Sequence, residues 1–558
     1  MAYRREPVNA PVVSGLPLRM FTRFVEGGVS GPFREKLLAE IGIDRLRAAV
    51  ADAPVLSPRL PHPVPPDSVS EDPVGDSVML ERPEIDGFHF RSVADYQAAY
   101  SSGEKSPVDI ARNALAASDE SERGSRPMRI FIAQYRTDVM AQAEASAARW
   151  EAGEPLSPFD GVPVAVKDEV DQTPYPTTGG TKILGRVPAE SDASTVARLR
   201  AAGAVLIGKT NMHEVGIGVT GINPHHGACR NPYDIGRVTG GSSSGPASAV
   251  AAGLGPVSLG ADGGGSIRIP AGLCGLVGLK PTWGRVTEHG AVPLCWNVAH
   301  IGPIGANTRD VAAMYAVLAG RDDADENTWG QPVPHLNQLE SGDLKGVRLG
   351  ICRPWFEDAE PEIVNACQLL VDALVDAGAE VVQFEPPDIQ LIRAAHVAVI
   401  TSEMLAANRH HLKNHRGDFG LDTRVNFALA SQLTNADYVH AMRYRHASTQ
   451  EWLRLMSEID AVVTPTTGRT ASRIPEHALP DGESNLPVLD QIMRFAAVAN
   501  LNGFPAIAIP AGYDAEGLPI SCQFMGRPWE ENLLLRIGHL CDGLIERRRP
   551  SRYWDLLA

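Results

Sequence analysis

The sequence has no excess of positive charge: across 558 residues the net charge is −16. A nucleic-acid surface wants clustered Lys and Arg to neutralise phosphates, so that class of partner is set aside. Cysteine is scarce as well, with seven in the chain and no C-x-x-C pair. A disulfide framework is therefore not expected, and reduced thiols in a cytoplasmic protein are. No window approaches the ~18 uninterrupted apolar residues that a membrane-crossing helix requires. The opening M-A-Y-R-R-E-P-V-N has neither the apolar core nor the cleavage site of a secretory signal. What is left is a soluble protein that touches a membrane peripherally at most.

What the chain does have is core. Hydrophobic residues make up 44% and charged residues 21%, the balance of a globular protein of one large domain or two to three smaller ones. Two apolar stretches open it. Leu16, Leu18, Met20, Phe21, Phe24 and Val25 form the first, and Phe33, Leu37, Leu38, Ile41, Ile43 and Leu46 follow at roughly helical spacing. These residues suit either a cap over a binding site or packing on the core or a partner protomer. The acidic, Pro-rich stretch from Asp52 to Val78 reads as an extended connector.

Beyond the connector an α/β alternation sets in. Ser106-Pro107 offers an N-cap followed by proline at the first helical position, and the helix runs through Ala117. A longer helix is expected from about Asp138 to Glu151, stopped by Gly153. Val162 to Lys167 is a buried strand; Ser194 to Ala202 is a helix stopped by Gly203, and Ala204 to Ile207 is the strand after it. The expected fold is α/β, a large mixed sheet covered by helices.

Several patterns suggest chemistry that their context denies. Gly203 to Thr210 matches G-x-x-x-x-G-K-T, but its middle, A-V-L-I, suits a strand rather than a phosphate-cradling loop. Gly241 to Gly245 matches the nucleophile elbow G-x-S-x-G, yet a polar, turn-rich segment precedes it where the elbow needs a hydrophobic strand. His225, His226 and Cys229, like His411 and His415, offer too few ligands, and no metal is expected.

Two further features are open to more than one reading. Gly263-Gly264-Gly265-Ser266 is either a tight turn with a bystander serine or a run whose N–H groups converge beside a nucleophilic hydroxyl. Lys167, at the end of V-P-V-A-V-K, is either a surface lysine or a base deprived of water.

Together the pieces resemble the amidase signature family. G-G-S-S-S-G-P-A-S-A from Gly240, continuing to G-A-D-G-G-G-S-I-R-I-P-A, looks like its defining segment, with V-A-V-K-D upstream and G-L-V-G-L-K-P-T-W-G-R-V downstream. The late N-L-N-G-F-P-A-I-A-I-P-A-G, Gly517-Leu518-Pro519-Ile520 and Gln523 also fit. Ser244 and Pro246 depart from the common G-G-S-S-G-G-S. The resemblance implies a Ser–Ser–Lys triad of Ser266 as nucleophile, Ser242 as relay after a cis peptide bond, and Lys167 as base. It places the oxyanion donors at Gly263, Gly264, Gly265 and Ser266, makes Ser243 a supporting residue, and gives Asp262 and Arg268 a structural pairing. No cofactor is implied.

The stretch K-D-E-V-D-Q-T-P-Y-P-T-T-G-G-T, the segment N-M-H-E-V-G-I-G-V-T-G-I-N and the N-terminal A-P-V-V-S-G-L-P-L-R-M-F resemble the plant-type fatty acid amide hydrolases in particular. This implies a homodimer that hydrolyses N-acyl amides, with an N-terminal helical cap over residues 1–50, a connector over 51–91 and a catalytic domain over 92–558. An aryl-acylamidase, a carbamate hydrolase, a transamidation component acting on tRNA-bound glutamate, and a non-catalytic scaffold remain as alternatives.

Overall fold

Runs of β-branched and small residues flanked by glycine stops build the centre of the protein. The computed structural model describes Tyr3, residues 8–49 and residues 87–558, so the Pro-rich connector lies outside the described residues. Eleven strands form one sheet, in the order Glu380–Gln383, Arg348–Ile351, Ala461–Pro465, Pro519–Gly526, Ala506–Tyr513, Val277–Lys280, Ile301–Gly305, Val257–Ala261, Pro163–Lys167, Val205–Thr210 and Phe131–Ala133. Pairing is mixed. Val257–Ala261, Pro163–Lys167 and Val205–Thr210 run parallel, whereas Ile301–Gly305 and Phe131–Ala133 flank them antiparallel. Residues of the central strands are buried throughout, as expected of a sheet covered on both faces by helices.

The helices begin and end where their capping residues dictate. Ser106 caps Pro107–Ser121 with a reciprocal pair of bonds to Asp109, and proline occupies the first turn. Gly153, in the left-handed region at φ 74, ends Arg136–Ala152. The segment after the triple serine, Ser244–Ala251, is a helix of small residues buried along its length. Its closeness to the strands requires Gly245, where a Cβ would lie 2.5 Å from both the Asn211 nitrogen and the Ile130 carbonyl oxygen.

The letters that imitate a phosphate loop belong to Val205–Thr210, and Lys209 within them is wholly buried. Its amine bonds the Val170 carbonyl at 2.6 Å and the Thr177 hydroxyl at 2.8 Å, so it ties down a loop and faces no ligand.

The helix Ile389–His415 is long and apolar enough to cross a membrane, yet Ile392, Ala395, Val399 and Glu403 along it are buried inside the fold. Against it and the helix Leu421–Ala430 pack the three N-terminal helices Gly15–Glu26, Gly31–Glu40 and Ile43–Ala48. Leu18, Val25, Leu37, Leu38, Ile43 and Leu46 are buried there. The first apolar stretch therefore divides: Leu18 and Val25 face the core, whereas Leu16 (68% exposed), Met20 and Phe24 face outward. Arg424 pairs with Glu26 at 2.5 Å and Arg47 with Asp437 at 3.0 Å, clamping the region to the body.

This division is testable. Leu18→Ala should lower the free energy of unfolding by about 2–5 kcal/mol through loss of buried contact and creation of a cavity. Leu16→Ala should change it by less than about 0.5 kcal/mol. Urea denaturation of the two variants measures both, and equal effects would mean that the buried face is assigned wrongly.

Candidate active site

The site gathers at the C-terminal ends of two neighbouring parallel strands, where open α/β sheets commonly receive ligands. Lys167 ends one and Ala261 the other. The Lys167 side chain is buried, with its amine 2.9 Å from Ser242 Oγ and 3.2 Å from the Ala261 carbonyl oxygen. A third oxygen, Glu169 Oε2, lies 2.7 Å away. The peptide bond Gly241–Ser242 is cis. The Ser242 carbonyl accepts the His213 N–H at 3.1 Å and the Ser244 N–H at 2.9 Å.

Ser243 faces a different way from Ser242. Its hydroxyl donates to the Ala261 carbonyl at 3.0 Å and accepts the Ala261 N–H at 3.3 Å, while its own N–H donates to the Ser266 carbonyl at 3.3 Å. It is wholly buried and splices the serine turn to the strand end.

Beyond Ala261 the chain turns through Asp262 and the three glycines. Asp262 Oδ1 accepts the Gly265 N–H at 2.6 Å, and Oδ2 accepts the Ile267 N–H at 3.1 Å. Arg268 reaches the same carboxylate from Nε at 3.1 Å and from Nη2 at 3.2 Å, and Asn500 Nδ2 adds a bond at 2.8 Å. Arg268 also donates to Asn500 Oδ1 and Gln523 Oε1, each at 2.6 Å. Burial alone would raise the Asp262 carboxyl. The adjoining guanidinium charge and its hydrogen bonds, aided by Lys280 and Asn500, overcome burial and hold it well below the usual carboxylate range. The expected pairing of Asp262 with Arg268 is thus present.

One expectation needs correcting. The Gly265 N–H is committed to Asp262, so Gly265 is not an oxyanion donor. Its part is conformational: φ is +105°, and a Cβ would lie 2.5 Å from Ile269 Cδ1. Gly263, Gly264 and Ser266 have no such commitment of their N–H groups among the described residues.

Ser266 and Gly264 open onto a cavity of about 190 Å³. Its walls are mostly apolar, with Leu38 and Ile41 from the N-terminal helices facing Ile217, Ile400, Met404, Leu429 and Met493. The N-terminal region is therefore both part of the core and part of this wall. His396, on the helix Ile389–His415, lines the cavity and donates from Nε2 to the Gly263 carbonyl at 2.7 Å. Burial pulls its ring down to about 4, so the imidazole is neutral near pH 7. That bond fixes the plane of the Gly263–Gly264 peptide. No motif in the sequence marks His396; only its place on the long apolar helix could have drawn notice.

Two of the histidines that suggested a metal are paired with carboxylates. His225 Nε2 lies 2.5 Å from Glu214, and His415 pairs with Asp418 at 3.0 Å. Among the described residues no group of three His, Cys, Asp or Glu side chains is placed to hold a metal ion.

The Asp262 network predicts a large penalty for a small change. Asp262→Asn keeps the shape but leaves the buried Arg268 charge without its counter-ion, a loss of about 3–5 kcal/mol. Chemical denaturation at pH 7 measures it. Because the folded carboxyl is depressed, the wild-type advantage is full above the unfolded value of ~3.9 and is lost as pH falls through the folded value, so the gap between the two proteins should close in strong acid. An unchanged gap at low pH would refute the assignment.

The amidase family model matches residues 125–535 of the chain. The fatty acid amide hydrolase of Medicago truncatula is 38% identical over an alignment spanning 100% of this chain and 96% of that protein. A glutamyl-tRNA(Gln) amidotransferase component of Chloroflexus aggregans is 33% identical, over 83% of this chain and 98% of that protein. Among solved structures, the native peptide amidase of Stenotrophomonas maltophilia superposes with a TM-score of 0.70 at 29% identity, covering 83% of this chain and 98% of that one. With this fold, and with the glycine–serine segment set at the strand ends, the chain belongs to the amidase family and is a hydrolase of amide C–N bonds.

Proposed function

We propose that this amidase hydrolyses N-acyl amides whose acyl group is an extended apolar chain, through an acyl-enzyme on Ser266. The observation that carries the reading is the apolar cavity opening directly onto Ser266 and Gly264. Full-length similarity to the Medicago fatty acid amide hydrolase supports it. The net charge of −16 weighs against a tRNA-bound substrate.

In this mechanism Lys167 as a neutral amine draws a proton from Ser242, and Ser242 draws one from Ser266 as the Ser266 oxygen attacks the carbonyl carbon. The N–H groups of Gly263, Gly264 and Ser266 receive the developing oxyanion, each such donor contributing about 3–4 kcal/mol to the transition state. The proton returns through Ser242 to the leaving nitrogen, and water then cleaves the ester by the same relay. Unpaired thiols at all seven cysteines support a cytoplasmic setting.

Ser266→Ala should abolish amide hydrolysis and labelling by a fluorophosphonate, while Ser243→Ala keeps its label on Ser266. Lys167→Ala should lower kcat by about 10²–10⁴-fold without unfolding the protein. Peptide mass mapping that finds the label on Ser243 would sink the mechanism.

Chain length tests the substrate class. Each buried methylene contributes about 0.8 kcal/mol, so kcat/KM should rise more than about 100-fold from a butyryl to an octanoyl amide. Leu429→Trp, which fills the cavity, should erase most of that rise and spare the butyryl substrate. A flat dependence on length in the wild type would exclude the apolar-chain reading.

A further inference from the structure

The Lys167 amine has three oxygen neighbours, and they differ in what they can do with a proton. The Ala261 carbonyl can accept a hydrogen bond but not a proton near neutrality. Ser242 is the group that the lysine must deprotonate. Glu169, at 2.7 Å, is the one neighbour able to take a proton from the amine. The two side chains are 1% and 8% exposed, which keeps bulk water from serving as the recipient.

The arrangement follows from the turn that ends the strand: the Val170 N–H donates to the Lys167 carbonyl at 3.1 Å, and within that turn the Glu169 carboxylate comes back to the Lys167 amine. Asp168 Oδ2 accepts the Thr178 and Gly180 N–H groups, each at 3.2 Å, and Oδ1 lies 3.4 Å from Lys209. It is engaged away from Lys167.

Glu288 and Cys295 lie close enough to feel the Glu169 charge, with Cys295 packed against Gly263, and Glu403 acts on both of them. Glu403 is held by the Asn297 amide at 2.5 Å and the Tyr438 hydroxyl at 2.9 Å, with Arg445 nearby. Burial pushes the carboxyls of Glu288 and Glu403 and the Cys295 thiol upward. Lys167 and Glu169 form a buried ion pair in this compartment, with the amine also on Ser242.

We infer that Glu169 primes the catalytic base, receiving one proton from Lys167 before the lysine draws on Ser242 and Ser266. The inference rests on the triad reading above. Glu169 acts through Lys167 and does not touch the substrate, so it is a positioning residue that also stores a proton. In the priming step a Lys167 N–H bond breaks and a Glu169 O–H bond forms, leaving a neutral amine and a neutral acid. The amine then gains the Ser242 proton as Ser242 gains that of Ser266, whose oxygen bonds to the amide carbon. On collapse the C–N bond breaks and the lysine's added proton travels back through Ser242 to the leaving nitrogen. Water repeats the cycle on the acyl-enzyme, and Glu169 finally returns its proton to Lys167. No proton is gained or lost overall beyond hydrolysis itself.

The test is the pH dependence of kcat/KM for an octanoyl amide, measured on the full-length protein and on Glu169→Gln and Glu169→Asp. In the wild type the active pair carries one proton between two groups, so activity is level across neutrality and falls only when the carboxylate is protonated. In Glu169→Gln the lysine must lose its proton to solvent, and the acid limb should move to higher pH by at least about one unit. Glu169→Asp should keep the wild-type limb with a reduced kcat. An acid limb that stays put in Glu169→Gln, or moves to lower pH as removal of a mere counter-charge would cause, overturns the inference. If Glu169→Gln fails to fold by circular dichroism, Glu169→Asp decides: a limb at the wild-type pH supports the role, and one displaced to higher pH refutes it. Failure of wild-type Ser266 to take a fluorophosphonate would instead overturn the triad reading, so the two failures are separable.

Discussion

Asp262 and Arg268 lie six residues apart, and neither reaches solvent. Two charges in that position survive only if protein groups replace the water they have lost. Here the replacement is nearly complete: backbone N–H groups and Asn500 converge on the carboxylate, and Asn500 and Gln523 take the far side of the guanidinium. This pair fixes the path of the glycine turn, and the turn fixes where Ser266 emerges. Because Asn500 belongs to the helix Ala497–Leu501 and Gln523 to the strand Pro519–Gly526, the same pair binds late parts of the chain to the early strands.

The reaction centre therefore has a stiff side and an adaptable side. The stiff side is the C-terminal end of the inner strands, where the Ala261 carbonyl takes bonds from both Lys167 and Ser243 and so holds the lysine and the serine turn in one frame. The adaptable side is the cavity wall of leucine, isoleucine and methionine, whose side chains can repack around different shapes. His396 joins the two, reaching from the long helix to the Gly263 carbonyl. Chemistry and substrate fit thus rest on different classes of contact.

Much of this was legible in the letters because local rules acted alone there. The strands Pro163–Lys167 and Val205–Thr210 declare themselves by continuous apolar runs, and Ser106 and Gly153 mark helix ends by capping chemistry. The resemblance to the amidase signature, carried by the glycine–serine segment and by V-A-V-K-D, pointed to Ser266, Ser242 and Lys167, and the structure sets Lys167 beside Ser242. What local rules could not supply was partner choice across the fold. Nothing near His396 tells that it meets Gly263, and nothing near Gly265 tells that its N–H turns to Asp262. Glu169 is an intermediate case: it stands two residues from Lys167, but only the turn after the strand brings its carboxylate to the amine.

The separation of the site residues along the chain has a kinetic consequence. Lys167 and Ser242 stand 75 positions apart, Gly263 and His396 stand 133 apart, and Arg268 and Gln523 stand 255 apart. Contacts at such separations form only after long loops have closed, which makes them late events in folding. Arg268 in particular meets Asn500 and Gln523 only when the last strands have joined the sheet, so the turn that sets Ser266 is completed late.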